Sequence, residues 1–321
     1  MVAVVDPAGI TITAAELAAE CDVKGALVKC IKPYVRKSKI TKGAALSFEN
    51  RDAVTPFGCG QCLPCRINKA REWTARILIE DRMHEHSCFL TLTYDDEHIP
   101  HGRTLVPRHL QLFIKRLRKD FEPRKIRYFA VGEYGVKNTK RPHYHIIVFG
   151  GEHSEVLEYA KKNWKYCDPD VGIDCGFLNK DSARYITGYV VKKLNKSHRD
   201  LGDRYPEFAR MSLRPGIGAV GIDNMAKNII HRGSYLPESP VRELQIEKRK
   251  LPLGRYLSDR INKGLNISEG KKVDSYTDYQ KNTFLEYGAF GEFYLANLTD
   301  EARKKEKVVK HNLKNSKQRK L

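Results

Sequence analysis

No apolar run in this 321-residue chain approaches the roughly 18 residues that a membrane-crossing helix needs. The opening, Met1-Val2-Ala3-Val4-Val5-Asp6, lacks the basic stretch of a secretory leader, so a cytoplasmic protein is the expectation. No internal repeat is visible, which argues against a solenoid or propeller. His84-Glu85-His86 lacks the H-E-x-x-H spacing of zinc hydrolases. Acidic residues are in short supply: 39 Asp and Glu face 58 Lys and Arg, a net charge of +19. That imbalance points to a polyanionic partner, nucleic acid first and an anionic membrane surface second. What is present suffices for a real core, since 41% of residues are hydrophobic, and the length allows one large domain or two modest ones.

Residues 1 to about 25 are Ala-rich and read as a short helix. Helical spacing of Ile67, Ala70, Trp73, Ile77 and Leu78 predicts a helix over 66–84. Alternation of Leu90 and Leu92 with Thr91 and Thr93 predicts a strand over 88–94. Pro107 opens a helix with Leu110, Phe113, Ile114, Leu117 and Phe121 on one face. Strands over 127–133 and 143–149 flank a polar turn, Tyr134 to Pro142. Ser154 is placed as the cap of a helix to Trp164, a short strand fits near 173–178, and Asp181 caps a helix to about Asn195. The order strand, helix, strand, strand, helix, strand, helix is that of a split βαβ, ferredoxin-like α+β fold with one extra helix and an antiparallel sheet. Beyond 200, Arg214-Pro215-Gly216-Ile217-Gly218 reads as a loop and 250–300 as a small helical module. The last 21 residues carry nine Lys or Arg against two Glu, a basic tail.

His143 and His145 are two apart on a predicted strand, so both imidazoles leave the same face. They are either strand histidines satisfied by hydrogen bonds or two ligands of one metal ion. A third ligand belongs on the neighbouring strand, where the hairpin offers Glu133; two imidazoles and a carboxylate leave room on a divalent cation for a phosphate oxygen. Tyr185, Tyr189 and Lys192 fall at i, i+4 and i+7, apart from the core stripe Ala183, Ile186, Val190 and Leu194. Taken alone, the tyrosines read as half-buried residues at a helix edge. Beside a metal and a lysine, a phenol becomes a nucleophile toward a phosphodiester. A shared helix face would let one phosphate pass between the two phenols.

Three of eight cysteines are bunched as Cys59-x2-Cys62-x2-Cys65, with Gly60 and Pro64 between them. Clustered thiols in a reducing compartment favour metal over disulfides. A closed structural zinc site wants four ligands. Cys30 is the first choice for the fourth and Cys88 the rival; an iron–sulfur cluster and free buried thiols are the other readings. Asp95-Asp96-Glu97-His98 reads as a solvated acidic loop.

Phe89-Leu90-Thr91-Leu92-Thr93-Tyr94, His143-Tyr144-His145 and Tyr185-xxx-Tyr189-xx-Lys192 stand in the order of the three motifs of HUH rolling-circle replication initiators, which this chain resembles. Tyr144 takes the place of the usual bulky apolar residue. The paired tyrosines, the cysteine cluster ahead of Trp73, Gly132-Glu133-Tyr134-Gly135 and the 214–218 loop resemble the gokushovirus (Microviridae) form over roughly residues 30 to 260. The resemblance implies Tyr185 and Tyr189 as nucleophiles and Lys192 as their helper. It implies His143, His145 and Glu133 as holders of Mg²⁺ or Mn²⁺. It further implies a 5′-phosphotyrosine, a 3′-OH that primes a host polymerase, and rejoining into a single-stranded circle.

The organisation expected is an extension over 1–29, a cysteine-stapled segment over 30–86, a HUH core over 87–200, an accessory region over 201–300 and the tail over 301–321. Expected partners are single-stranded and origin DNA and the host polymerase and helicase, in the host cytoplasm and away from membranes. Two rivals stand: a non-catalytic zinc-containing nucleic-acid-binding protein whose tyrosines stack on bases, and a relaxase or transposase with the same chemistry.

Overall fold

The structure is a computed structural model that describes residues 3–5, 11–13, 34–37, 54–57, 59–135, 140–192, 202–231, 241–246 and 249–267. Two short antiparallel pairs come first: β1 (Ala3–Val5) with β2 (Thr11–Thr13), and β3 (Tyr34–Lys37) with β4 (Val54–Phe57). The first pair corrects the expected N-terminal helix. Val4, Val5, Thr11, Ile12 and Thr13 are β-branched, and their stiff side chains suit a pleated strand better than a helix.

Helix α1 (Leu63–Asp81) follows, starting earlier and ending earlier than its periodicity predicts because Pro64 sets its first turn. Next are β5 (Ser87–Thr93), α2 (Pro107–Asp120), β6 (Arg127–Tyr134), β7 (Pro142–Phe149), α3 (His153–Asn163), the single turn α4 (Pro169–Gly172), β8 (Ile173–Phe177) and α5 (Lys180–Lys192). Both predicted caps are corrected. Glu152, not Ser154, accepts the amides of Ser154 and Glu155 and so caps α3. Asn179, not Asp181, caps α5: its Oδ1 accepts the Ser182 amide at 2.8 Å while its own amide donates to Ser182 Oγ at 2.9 Å. In each case a carboxylate or amide just before the first turn already meets the unpaired amide hydrogens.

Five strands form one antiparallel sheet in the order β8-β5-β7-β6-β9, where β9 spans Phe208–Met211. The four residues of β9 show little alternation, which is why only the structure reveals it. Gly132 explains how it docks: a Cβ there would sit 2.9 Å from the Phe208 ring, so only hydrogen lets β9 close on β6.

The sheet is covered on both faces. On one, α2 and α3 bury Leu110, Phe113, Leu117 and Val156 against Leu90, Leu92, Tyr144, Ile146 and Val148. On the other, α1 and α5 bury Ile77, Ala183 and Ile186 against Phe129, Val131 and Ile147. Each such side chain is worth about 1.5–3 kcal/mol against exposure. Helix α1 has a second buried side. Ala75 and Ile79 pack on α6 (Ala219–His231), the hairpin β10 (Glu243–Ile246) and β11 (Arg249–Pro252), and α7 (Gly254–Gly264). Only part of the expected helical module is therefore helix, and its continuation lies outside the described residues.

Glu80, 1% exposed, is the polar joint of this arrangement. Arg127 of β6 donates to it, the Gly218 amide reaches it at 2.6 Å, and His84 lies 3.4 Å away. Arg127 also donates to the Pro215 carbonyl at 2.7 Å, and Arg76 to that of Ile217 at 3.1 Å. The 214–218 loop is thus clamped onto α1 and the sheet. Gly218 adopts φ +81, where a side chain would be strained and would meet the Arg76 carbonyl at 3.0 Å. Burial pushes the Glu80 carboxyl up, but its contacts with His84, Gly218 and Arg127 together bring it below the ordinary carboxylate value.

Glu80→Ala leaves a buried guanidinium and amide without their acceptor. Urea unfolding is expected to show a loss of about 3 kcal/mol, whereas Glu85→Ala, at an exposed position, changes stability by less than about 0.5 kcal/mol. A depressed carboxyl stabilises above its unfolded-state value, and that stabilisation disappears as pH falls through the folded value. Wild type should therefore lose more stability than Glu80→Gln on acidification below about pH 4.5, as read from urea midpoints along a pH series.

Candidate metal and tyrosine site

The β6–β7 register sets Glu133 directly opposite His143 and Val131 opposite His145. Side chains alternate along a strand, so Glu133, His143 and His145 share the face that carries Phe129, Val131 and Ile147. Glu133 Oε1 lies 2.6 Å from His143 Nε2 and 3.2 Å from His145 Nε2. The three ligand atoms lie within 4.8 Å of one another, with Glu133 1% and His145 6% exposed.

The outer ring nitrogens are held as well. His143 Nδ1 faces the Arg141 carbonyl at 3.2 Å, and His145 Nδ1 faces the Thr91 hydroxyl at 3.0 Å. A carbonyl can only accept, so His143 carries its proton on Nδ1 there and turns Nε2 inward as a ligand. Two imidazole nitrogens and one carboxylate oxygen, oriented and largely dry, fit a divalent cation. The sequence pattern brings out Glu133 and the histidines. Thr91 escaped as an orienting group because its pairing with β7 joins strands 54 residues apart.

Tyr185 of α5 is half-buried beside this group. Its ring meets His145 edge-on at 5.4 Å and Phe89 at 6.2 Å, while Phe89 stacks on His145 at 5.3 Å. The helix is pinned to α1 by a buried hydroxyl pair, Thr187 and Thr74, 2.9 Å apart. Tyr189 and Lys192 belong to α5 as expected, but their side chains lie outside the described residues. Tyr144 points away from the metal group. It is fully buried on the opposite face, and its hydroxyl meets Tyr94 at 2.9 Å and the Val106 carbonyl at 3.0 Å. Burial pushes the phenols of both Tyr94 and Tyr144 above the ordinary tyrosine value.

Cys59, Cys62 and Cys65 form a second group of converging ligands, each half-buried. The Cys62 amide points at Cys59 Sγ, 3.3 Å away, and Cys65 lies in the first turn of α1, where the helix dipole favours thiolate. Three sulfurs this close fit a thiophilic metal. The rival fourth ligand is corrected: Cys88 is buried on the far face of the sheet, and its thiol engages Cys175, a contact that with burial pushes it upward. Cys30 lies outside the described residues.

A sheet-borne Glu-His-His group with a tyrosine against it defines a candidate metal-assisted site. Residues 87–198 match the family described as replication-associated protein ORF2, and over that segment the chain belongs to it. The chain is 34% identical over 198 residues to the replication-associated protein VP4 of Bdellovibrio phage phiMH2K, covering 55% of this chain and 61% of that protein. It is 36% identical over 178 residues to the replication-associated protein ORF2 of Spiroplasma virus 4, covering 50% and 55%. With the replication-associated protein ORF4 of Chlamydia phage 1 the figures are 32% over 244 residues, 68% and 56%. The matched stretch thus spans a little over half the length of these relatives. No solved structure matches the chain.

Thr91→Val should weaken Mn²⁺ binding about 10-fold by freeing the His145 ring, in the range usual for lost orienting contacts. His143→Ala should cost more. Titration calorimetry on the folded variants reads both, and an unchanged affinity in His143→Ala would remove this group as the cation site.

Proposed function

We propose that this chain initiates replication of a single-stranded DNA phage by nicking and rejoining origin DNA through tyrosine. The observation that carries the reading is the Tyr185 ring packed on His145, one of three converging cation ligands. The strand order supports it. Taking β5, β6, β7 and β8 as first to fourth, the sheet runs 4-1-3-2 with helices after the first and third strands, as expected of a ferredoxin-like HUH core over 87–200. The printed names of the relatives point the same way, toward replication.

Glu133, His143 and His145 would hold Mg²⁺ or Mn²⁺, whose positive charge polarises a scissile phosphate and offsets charge building on its oxygens. The Tyr185 or Tyr189 oxygen attacks phosphorus as its phenolic proton leaves. A Tyr O–P bond forms while the P–O3′ bond breaks, and the departing oxygen takes up a proton as the 3′-OH. The product is a 5′-phosphotyrosine that conserves the bond, so joining requires only the second tyrosine or the returning 3′-OH. Lys192 favours the phenolate and the charged transition state. Zn²⁺ at Cys59, Cys62 and Cys65, with Cys30 as fourth ligand, would staple the N-terminal segment. The partners follow from the chemistry: single-stranded origin DNA, and a host polymerase and helicase that use the freed 3′ end in the bacterial cytoplasm.

Incubation of the purified chain with origin single strand and Mn²⁺ should give a denaturant-stable protein–DNA adduct. Tyr185→Phe combined with Tyr189→Phe should reduce it by more than about 100-fold, and Glu133→Ala should do the same without unfolding the protein. Retention of the adduct in the double variant would refute tyrosine as nucleophile. Absence of both adduct and cleavage in wild type would leave the non-catalytic binding protein.

A further inference from the structure

The opposite side of the sheet carries a feature that the proposed chemistry does not use. An open groove of about 1090 Å³ runs between α2 and the β6–β9 edge. Six exposed cations line it: Arg108, Lys115, Arg116, Arg118, Lys119 and Arg210; Glu122 is the one acid. Three of the six are braced by neutral acceptors: Arg108 on Gln111 at 2.8 Å, Arg116 on the Asn163 carbonyl at 3.3 Å and Arg118 on Ser212 at 3.3 Å. Those bonds orient the guanidinium groups without cancelling their charge. Nearby cations behave otherwise: Arg124 pairs with Glu155, Lys162 with Asp120 and Lys161 with Asp170. The concentration of unneutralised charge is thus local to the groove.

Its floor lies on the face away from the metal group. Tyr128 packs with the cluster of Leu110, Phe113 and Leu117, whereas Glu133, His143 and His145 share the parity of Phe129 and Ile147. A nucleic acid seated here is separated from the metal site by the sheet. The aromatic content selects between nucleic acids. Tyr128 is the single aromatic in the lining, and Arg118 lies over its ring at 5.1 Å. Single-strand binders stack bases on open rings; this groove presents guanidinium and ammonium groups instead. Paired bases need no such platform, and a duplex offers about one phosphate per 1.7 Å of axis.

We infer that the α2–β9 groove is a second, sequence-independent contact for duplex DNA, gripped through its phosphates, while the opposite face handles the strand to be cut. That the occupant is DNA rests on the functional reading above; the charge and the missing stacking surface are independent of it.

The test compares the full-length chain with a K115A/K119A/R210A variant. Fluorescence anisotropy reads its affinity for a duplex of arbitrary sequence across a salt series. Each lost phosphate contact flattens the slope of log K against log salt by about 0.9, so a decrease of roughly 2 to 3 and a duplex affinity at least about 10-fold lower are expected. Binding of a short single strand should fall far less, and Mn²⁺ affinity and adduct formation on single-stranded origin should be unchanged. A K165A/K227A/K263A variant removes the same charge at exposed lysines elsewhere and should keep the wild-type slope. An unchanged slope in the groove variant, an equal fall in the control, or an equal loss of single-strand binding would overturn the assignment. A groove variant that loses duplex binding in a chain forming no adduct would retain the groove and remove the nicking reading, so the two failures are distinct.

Discussion

The pairing of Glu133 with His143 across β6 and β7 is the constraint on which the site depends. A one-residue slip would send every side chain of one strand to the other face. Glu133 would then meet the apolar cluster under α2, and the imidazoles would lose their carboxylate. The register is fixed by burial on both faces, because Phe129, Val131, Ile147 and Phe149 fill one core while Ala130, Tyr144, Ile146 and Val148 fill the other. No slipped register keeps both filled. Chemistry at one end of the hairpin is held in place by packing along its length.

The second support is α1, which joins the sheet to the C-terminal elements. Its two buried sides leave it little solvent-facing surface, and Arg71, 2% exposed, donates to the Lys250 carbonyl at 2.8 Å. Glu80 then gathers β6, α1 and the 214–218 loop on one carboxylate. The Thr74–Thr187 bond carries the same helix to α5 and hence to Tyr185. The position of the tyrosine relative to the histidines is therefore set through α1 as well as by direct contact. This gives the cysteine cluster at the start of α1 a place in the same frame.

Much of the central sheet was legible from residues 88 to 192 because its signals are local: two-residue alternation in β5, Pro107 at a helix start, and a polar turn between two apolar runs. The metal group was legible for the same reason, since a hairpin brings Glu133 to His143 with only a short turn between. What escaped needs partners distant in sequence. Strand β9 is four residues long and owes its place to Gly132 and to the edge of β6. Thr91 becomes an orienting group only once β5 lies beside β7. The caps were misread by small offsets, Glu152 for Ser154 and Asn179 for Asp181, because several residues near each helix start carry suitable oxygens and only geometry chooses among them.

Environment, not residue type, separates the tyrosines. Tyr94 and Tyr144 lie in the core, bonded to each other, and burial makes their phenolates costlier to form. A phenol so placed serves packing: the Tyr144 hydroxyl ties β7 to the residue before α2 through both the amide and the carbonyl of Val106. Tyr185 is half-buried on the other face, with an imidazole ligand at its ring edge. A nucleophile toward phosphate needs both access from solvent and a neighbouring positive charge to stabilise its oxyanion. The site combines access with a place for that charge, and the sheet keeps it apart from the buried pair. His143-Tyr144-His145 thus divides its labour by strand parity, the outer two residues as ligands and the middle one as core.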